Sequence, residues 1–206
     1  AYNIAIGHSA GSNVTTGTVN TIIGALAGDA LTEGNHNIAV GFGALGSETL
    51  GDRNVAIGSN ALNAQNNTSN TDVYNTAIGY SAGSSVTTGK QNTIIGGLAG
   101  DALTTGEDNV ALGYNALSTE DTGNRNTAIG KNALSTLNFD GSGHNVAVGY
   151  NAGQGISTGV NNTIMGALAG DALTTGSHNQ AIGYTALGSE DTGNRTTAIG
   201  YFALAN

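Results

Sequence analysis

"NTIIGGLAGDALTTG", residues 92–106, recurs almost letter for letter as "NTIIGALAGDALTEG" at 20–34 and "NTIMGALAGDALTTG" at 162–176. The phrase holds no obvious nucleophile, no cysteine and no basic cluster. A catalytic centre is one asymmetric convergence of groups, so a phrase written three times reads as a structural unit. Its first five letters carry the pattern. Asn-x-Ala/Ile-aliphatic-Gly runs through the whole chain, with its glycines at Gly7, Gly24, Gly41, Gly58, Gly79, Gly96, Gly113, Gly130, Gly149, Gly166, Gly183 and Gly200. Most steps are 17 residues; the exceptions are 21, from Gly58 to Gly79, and 19, from Gly130 to Gly149. The units group into cycles of four, at about 1–72, 73–142 and 143–206, and each longer step lies in the last unit of a cycle. Residues 1–206 therefore read as one repeat array.

A period of 17 is too short for two helices and a turn. It suits one coil of a parallel β-solenoid: two short strands, two bends, and the next coil stacked on top. "NTAIG" is rich in β-branched residues and of strand length. Gly, Thr, Asn, Asp and Ser dominate the bends. Glycine is too dense for helices, and no segment has a helical period. The expected fold is all-β, a parallel β-solenoid of about 12 coils; at about 4.8 Å per stacked strand it is a rod on the order of 57 Å long.

The position before each motif glycine is apolar in every copy, from Ile6 to Ile199, and so is the one before that, from Ala5 to Ala198. Strand neighbours point to opposite faces. The strand is thus expected to be covered on both sides, once by its own coil and once by another copy of the chain. Which file faces inward stays open, although the mostly-alanine file suits close backbone approach. Three residues after each motif glycine comes Ala, from Ala10 to Ala203, as a tight layer requires. The next place is Gly in the first two units of a cycle and Leu in the last two. Where it is Gly, the residue three further on is large and apolar: Val14, Leu31, Val86, Leu103, Ile156, Leu173. Where it is Leu, that residue is mostly polar (Glu48, Gln65, Glu120, Glu190), with Leu137 the exception. This reads as one plug per coil, supplied from either of two places at conserved core volume. Asn opens eleven motifs, from Asn3 to Asn179, and a stack of them predicts a hydrogen-bonded amide ladder.

Composition narrows the function classes. The chain has 34 Gly, no Pro, no Cys, 9% charged residues and a net charge of −9 with five Lys+Arg. Glycine without a three-residue period or proline excludes collagen. Without a basic stripe to neutralise phosphates, no nucleic acid is expected as a partner. No apolar run approaches the roughly 20 residues of a spanning helix, so no membrane insertion by this segment is expected.

"NVAIGSNAL" (54–62), "NTAIGKNAL" (126–134) and "NTAIGYSAG" (75–83) resemble the β-roll repeats in the heads of trimeric autotransporter adhesins, which read roughly Asn-Ser-Val-Ala-Ile-Gly; related repeats occur in phage tail fibres. The likeness covers the whole chain. It implies a left-handed β-roll, three chains side by side as a homotrimer, an extracellular place on a cell surface or virion fibre, and an adhesive role toward a host-surface glycan or protein. Those heads commonly repeat at 14–15 residues rather than 17, and "ALAN" at 203–206 stops mid-coil, as in a slice of a longer fibre.

The candidate contact residues are aromatic. Phe42, Tyr80, Tyr114, Tyr150 and Tyr184 follow the motif glycine on alternate coils, spaced by small residues such as Ser59, Gly97 and Ala167. They read either as a partly buried stack or as an outward stripe, of which Tyr80, Tyr114, Tyr150 and Tyr184 would be the contacts. Acidic residues at Glu48, Glu120–Asp121 and Glu190–Asp191 share bends with Arg53, Arg125 and Arg195, which predicts ion pairs pinning the bends. Calcium there lacks the glycine–aspartate nonapeptide, and Asp29, Asp101 and Asp171 read as turn formers. Single His residues on separate coils do not converge on zinc. "GFGALG" (41–46) has sister copies "GYNALS" and "GYTALG", so it is no dinucleotide loop. No catalytic residue, metal or cofactor is expected, and the chain is not expected to be an enzyme. The competing class is an ice-binding solenoid, because Thr recurs after the motif Asn, as at Thr21, Thr76, Thr93, Thr127 and Thr163.

Overall fold

The structure is a computed structural model that describes residues 2–189 and 191–206. Its strands are β1 (Ile4–Ile6), β2 (Thr21–Ile23), β3 (Ile38–Val40), β4 (Gly51–Asp52), β5 (Val55–Ile57), β6 (Thr71–Asp72), β7 (Thr76–Ile78), β8 (Thr93–Ile95), β9 (Val110–Leu112), β10 (Thr127–Ile129), β11 (Val146–Val148), β12 (Thr163–Met165), β13 (Gln180–Ile182) and β14 (Thr197–Ile199). All but β4 and β6 form one 12-stranded sheet in chain order, and its paired strands are parallel. The chain is an all-β parallel β-solenoid. Register follows the motif: Thr21 pairs with Ile38, and across the two longer steps Val55 pairs with Thr76 and Thr127 with Val146. The extra residues are absorbed in the bends, where β4 pairs with β6 and Asn124 bridges to Ser142.

Each coil contributes one strand to this sheet, where two strands per coil were expected. The reason is local. The strand ends at the motif glycine, whose φ lies between +127° and +141° in every copy. The chain then enters turns with left-handed residues two and four places on, such as Asn115 (φ 60°) and Leu117 (φ 53°), and cannot extend. This second flank is stapled coil to coil by turn hydrogen bonds instead: Gly28 N–H donates to the Ala44 carbonyl (2.9 Å) and Leu45 N–H to that of Ala61 (3.0 Å). A left-handed leucine costs about 1–2 kcal/mol. Leu45, Leu62, Leu117 and Leu134 are fully buried, which contributes about 1.5–3 kcal/mol each and offsets that strain.

The interior is filled by the alanine file. Ala39, Ala56, Ala77, Ala111, Ala128, Ala147 and Ala181 are buried inside their own coils, so the file suited to a neighbouring chain faces inward. In the second unit of each cycle that place is Ile22, Ile94 or Ile164. A Cβ on Gly11 would lie 2.8 Å from Ile22 Cδ1, and one on Gly83 would lie 2.9 Å from Ile94 Cδ1. The glycines of the first two units therefore make room for an isoleucine. The expected single plug per coil is corrected here: Leu45 with Glu48, Leu62 with Gln65, and Leu117 with Glu120 are all buried together. Volume is balanced between strand and turn across coils, not within one turn.

The asparagine ladder forms, with the backbone as half of it. Asn37 N–H donates to Asn20 Oδ1 (2.8 Å), and Asn54 N–H to Asn37 Oδ1 (2.9 Å). Each amide nitrogen turns across its coil: Asn20 Nδ2 donates to the Gly34 carbonyl and Asn109 Nδ2 to that of Gly123, both at 2.8 Å. One side chain thus joins two coils and closes its own, which buried amides require.

Candidate contact surface and the buried carboxylates

With alanine turned in, the aliphatic file before the motif glycine points out. Ile6, Ile57, Ile78, Leu112, Met165 and Ile199 are exposed on one chain. The file two residues earlier shares this face and mixes Ile4, Ile38 and Val146 with threonines Thr21, Thr76, Thr93, Thr127 and Thr163. The result is a continuous, largely apolar stripe about 50 Å long on one face of the solenoid.

Beside it runs the aromatic file. Tyr80, Tyr114, Tyr150 and Tyr184 are 62%, 54%, 51% and 44% exposed, and Phe42 is exposed as well. On the single chain they form an outward stripe whose rings are each about half exposed. The stabilising contact between rings comes where aromatics occupy adjacent coils: Tyr184 and Tyr201 stack with centroids 5.5 Å apart and planes 16° apart. Elsewhere a smaller residue or a lysine intervenes. Lys131 Nζ lies over the Tyr114 ring, 5.9 Å from its centroid.

The bends hold a feature that charge patterning missed. Glu48 is fully buried. Its Oε1 accepts from the N–H groups of Thr49 (3.0 Å), Leu50 (3.1 Å), Gly51 (2.7 Å) and Asn67 (3.1 Å). Its Oε2 accepts from Gln65 Nε2 and Asn67 Nδ2, both at 2.8 Å. Glu120 sits in the same register, with Oε1 bonded by Gly123 N–H (2.8 Å) and Oε2 by Phe139 N–H (3.2 Å). These carboxylates anchor the two enlarged bends to the interior. The arginines pair elsewhere: Arg53 with Asp72, and Arg125 Nε with Asp108 Oδ2 at 3.6 Å. Both pairs are about half exposed and add little stability. Glu190, the third expected member, lies outside the described residues. The signal for burial was register, because Glu48 and Glu120 occupy the place that Leu31, Val86 and Leu103 fill in other coils.

Burial lifts the Glu120 carboxyl above its ordinary value of 4.5; the Gly123 and Phe139 N–H groups oppose this, and the nearby Asp121 charge adds to it. A carboxyl raised by folding binds its proton more tightly folded than unfolded. Its stabilising contribution is present below the unfolded value and is lost as pH rises through the folded one. Glu120→Gln mimics the protonated form. Wild type is therefore expected to lose stability relative to Glu120→Gln as pH rises above the ordinary carboxyl value of 4.5, read as diverging urea midpoints. Midpoints that stay parallel would contradict this. Burial raises Asp101 and Asp171 likewise, and each has one buried carboxylate oxygen without a partner in the fold.

Among the described residues no three His, Cys, Asp or Glu side chains gather into a metal-sized group, and the surface has no enclosed cavity. His36 and His178 sit at outward left-handed positions (φ 58° and 63°) at the corner before the strand. Among the described residues no helix is long and apolar enough to cross a membrane. Fold and surface together define a β-solenoid repeat protein. No family model matches the chain, and neither does any curated protein or solved structure.

Proposed function

We propose that the chain is a structural and adhesive segment of an extracellular fibre, of the kind found in trimeric surface adhesins and phage tail fibres, in which three copies lie side by side. The observation that carries this reading is the outward aliphatic file, apolar in every coil from Ile6 to Ile199. A solvated face would alternate with polar residues. Association of parallel copies would cover the stripe along its length and leave the edges of each coil for contact with a host-surface glycan or protein. The resemblance of the Asn-x-Ala-Ile-Gly motif to adhesin β-roll repeats supports a threefold assembly.

Light scattering on the intact chain is expected to give three times the single-chain mass. Combining Ile57→Lys, Ile78→Lys and Ile95→Lys is expected to reduce it to one, with the β circular dichroism kept, because three charges cannot be buried at an apolar contact without partners. A single-chain mass for wild type would refute self-association.

The outward Thr21, Thr76, Thr93, Thr127 and Thr163 on a flat sheet favour one competing reading, an ice-binding face. Thermal hysteresis from a monomeric wild type would establish that reading in place of the fibre.

A further inference from the structure

The aromatic file is a ladder with open rungs, and its geometry specifies a ligand more narrowly than adhesion in general. Two contacts show how the rings stand. Tyr184 and Tyr201 stack face to face across one coil step. The Tyr114 ring has Lys131 over one face, and on its other side Cδ2 lies 3.7 Å from where a Cβ on Gly97 would be. Ring faces are thus turned along the long axis of the solenoid. Rings on alternate coils are about 9.6 Å apart, and between Tyr80 and Tyr114 the intervening coil offers only Gly97. Ser59 and Ala167 floor the equivalent gaps between Phe42 and Tyr80 and between Tyr150 and Tyr184.

A flat ring placed in such a gap would lie about 4.8 Å from each neighbour, within the range in which rings stack favourably. The rims of the gap are mixed. Tyr80, Tyr114, Tyr150 and Tyr184 are followed by the polar residues Ser81, Asn115, Asn151 and Thr185, while Leu98 follows Gly97. A pyranose ring has this double character, with weakly positive C–H faces for the aromatic quadrupole and hydroxyls at its rim. Charge narrows the class further. The chain carries a net charge of −9, so a polyanionic glycan is repelled, and no carboxylate lies in the aromatic file to recruit a cation. Lys131 closes the gap between Tyr114 and Tyr150, which leaves two adjoining gaps that share Tyr80 on one side of it and the Tyr150–Tyr184 gap on the other.

We propose that the open gaps of the aromatic ladder each seat one terminal pyranose of a neutral glycan, its C–H faces against the two flanking aromatic rings. This rests on the adhesive reading of the fibre and names what it would hold. Each gap binds weakly, and several along one rod act together.

The test uses the intact chain against albumin densely conjugated with β-galactose, α-mannose or N-acetyl-β-glucosamine, and a sialylated conjugate as the acidic control, followed by biolayer interferometry. At least one neutral conjugate is expected to be retained. Tyr114→Ala removes a rung shared with the Gly97 gap. Gly97→Leu fills the gap while leaving every aromatic residue unsubstituted, and its Cβ meets Tyr114 Cδ2 at an ordinary contact distance of 3.7 Å. Combined with Ser59→Leu and Ala167→Leu, it is expected to weaken retention at least about tenfold, with the melting curve unchanged. No retention of any neutral conjugate, retention of the sialylated one alone, or undiminished retention by the gap-filled variant would each overturn the proposal. So would loss of the assembled mass in Tyr114→Ala, because the rungs would then hold copies of the chain together. A wild type that is monomeric by light scattering yet retains a neutral conjugate would remove the trimer and leave the sugar site standing.

Discussion

Gly113→Ala is expected to destabilise the solenoid by more than about 4 kcal/mol, or to prevent its folding altogether. The residue has φ +136°, and a Cβ there would stand 2.6 Å from both the carbonyl carbon and oxygen of Gly130, one coil on. The clash is with backbone, which cannot rotate away as a side chain can. Nor can the coils separate. Gly113 N–H donates to the Ile95 carbonyl and Gly130 N–H to that of Leu112, both at 2.7 Å, so a longer rise would break the sheet that defines the fold. Strain and overlap add at this position. Gly97→Ala is the matched control, since its φ lies outside the left-handed region and its new methyl finds ordinary contact distance. Urea unfolding of the two variants is the measurement. If Gly113→Ala lay within about 1 kcal/mol of wild type, glycine-on-glycine stacking would not limit the coil rise.

Glu48→Ala has the second largest expected effect, about 3–5 kcal/mol, the scale of removing one partner from a buried charged network. Six donors converge on this carboxylate, four of them backbone N–H groups. Without it they are buried with no acceptor in the fold. The damage should extend beyond the bend. Gln65 is held by Glu48, and its Oε1 accepts from Asn75 Nδ2 (2.8 Å), so the network continues into the asparagine ladder. Hydrogen exchange is expected to show loss of protection at residues 63–75 before the rest of the rod. Glu48→Gln keeps the shape but replaces one acceptor with an NH₂ facing donors, and should fall between wild type and alanine. A Glu48→Ala chain as stable as wild type would mean that water satisfies those donors.

These expectations separate two kinds of legibility. The solenoid was readable because a repeated motif at constant spacing fixes both the coil length and the strand position, and insertions at Gly58–Gly79 and Gly130–Gly149 announce themselves as changed steps. The asparagine ladder followed from the same register. The aromatic file was visible as a pattern, but the choice between a buried stack and an outward stripe depends on how far each ring clears the next coil. The arginine pairing was misread for a related reason. Residues in one bend are adjacent in sequence, yet stacking brings Arg125 to Asp108 of the preceding coil, while Glu120 turns to the interior.

By itself, the sequence determined the coil period, the in-register parallel pairing, the file of motif glycines and the apolar character of both strand faces, because each is a property of position along a repeat. Tertiary structure alone decided which face is inside. Both strand files are apolar, and only the width left between strand and turns shows that the inner file takes alanine, with isoleucine at Ile22, Ile94 and Ile164 where glycines make room, while the file before the motif glycine is turned out. It also decided the fate of Glu48 and Glu120, whose charge suggested solvent and whose surrounding N–H groups, gathered from two coils, made burial the lower-energy place.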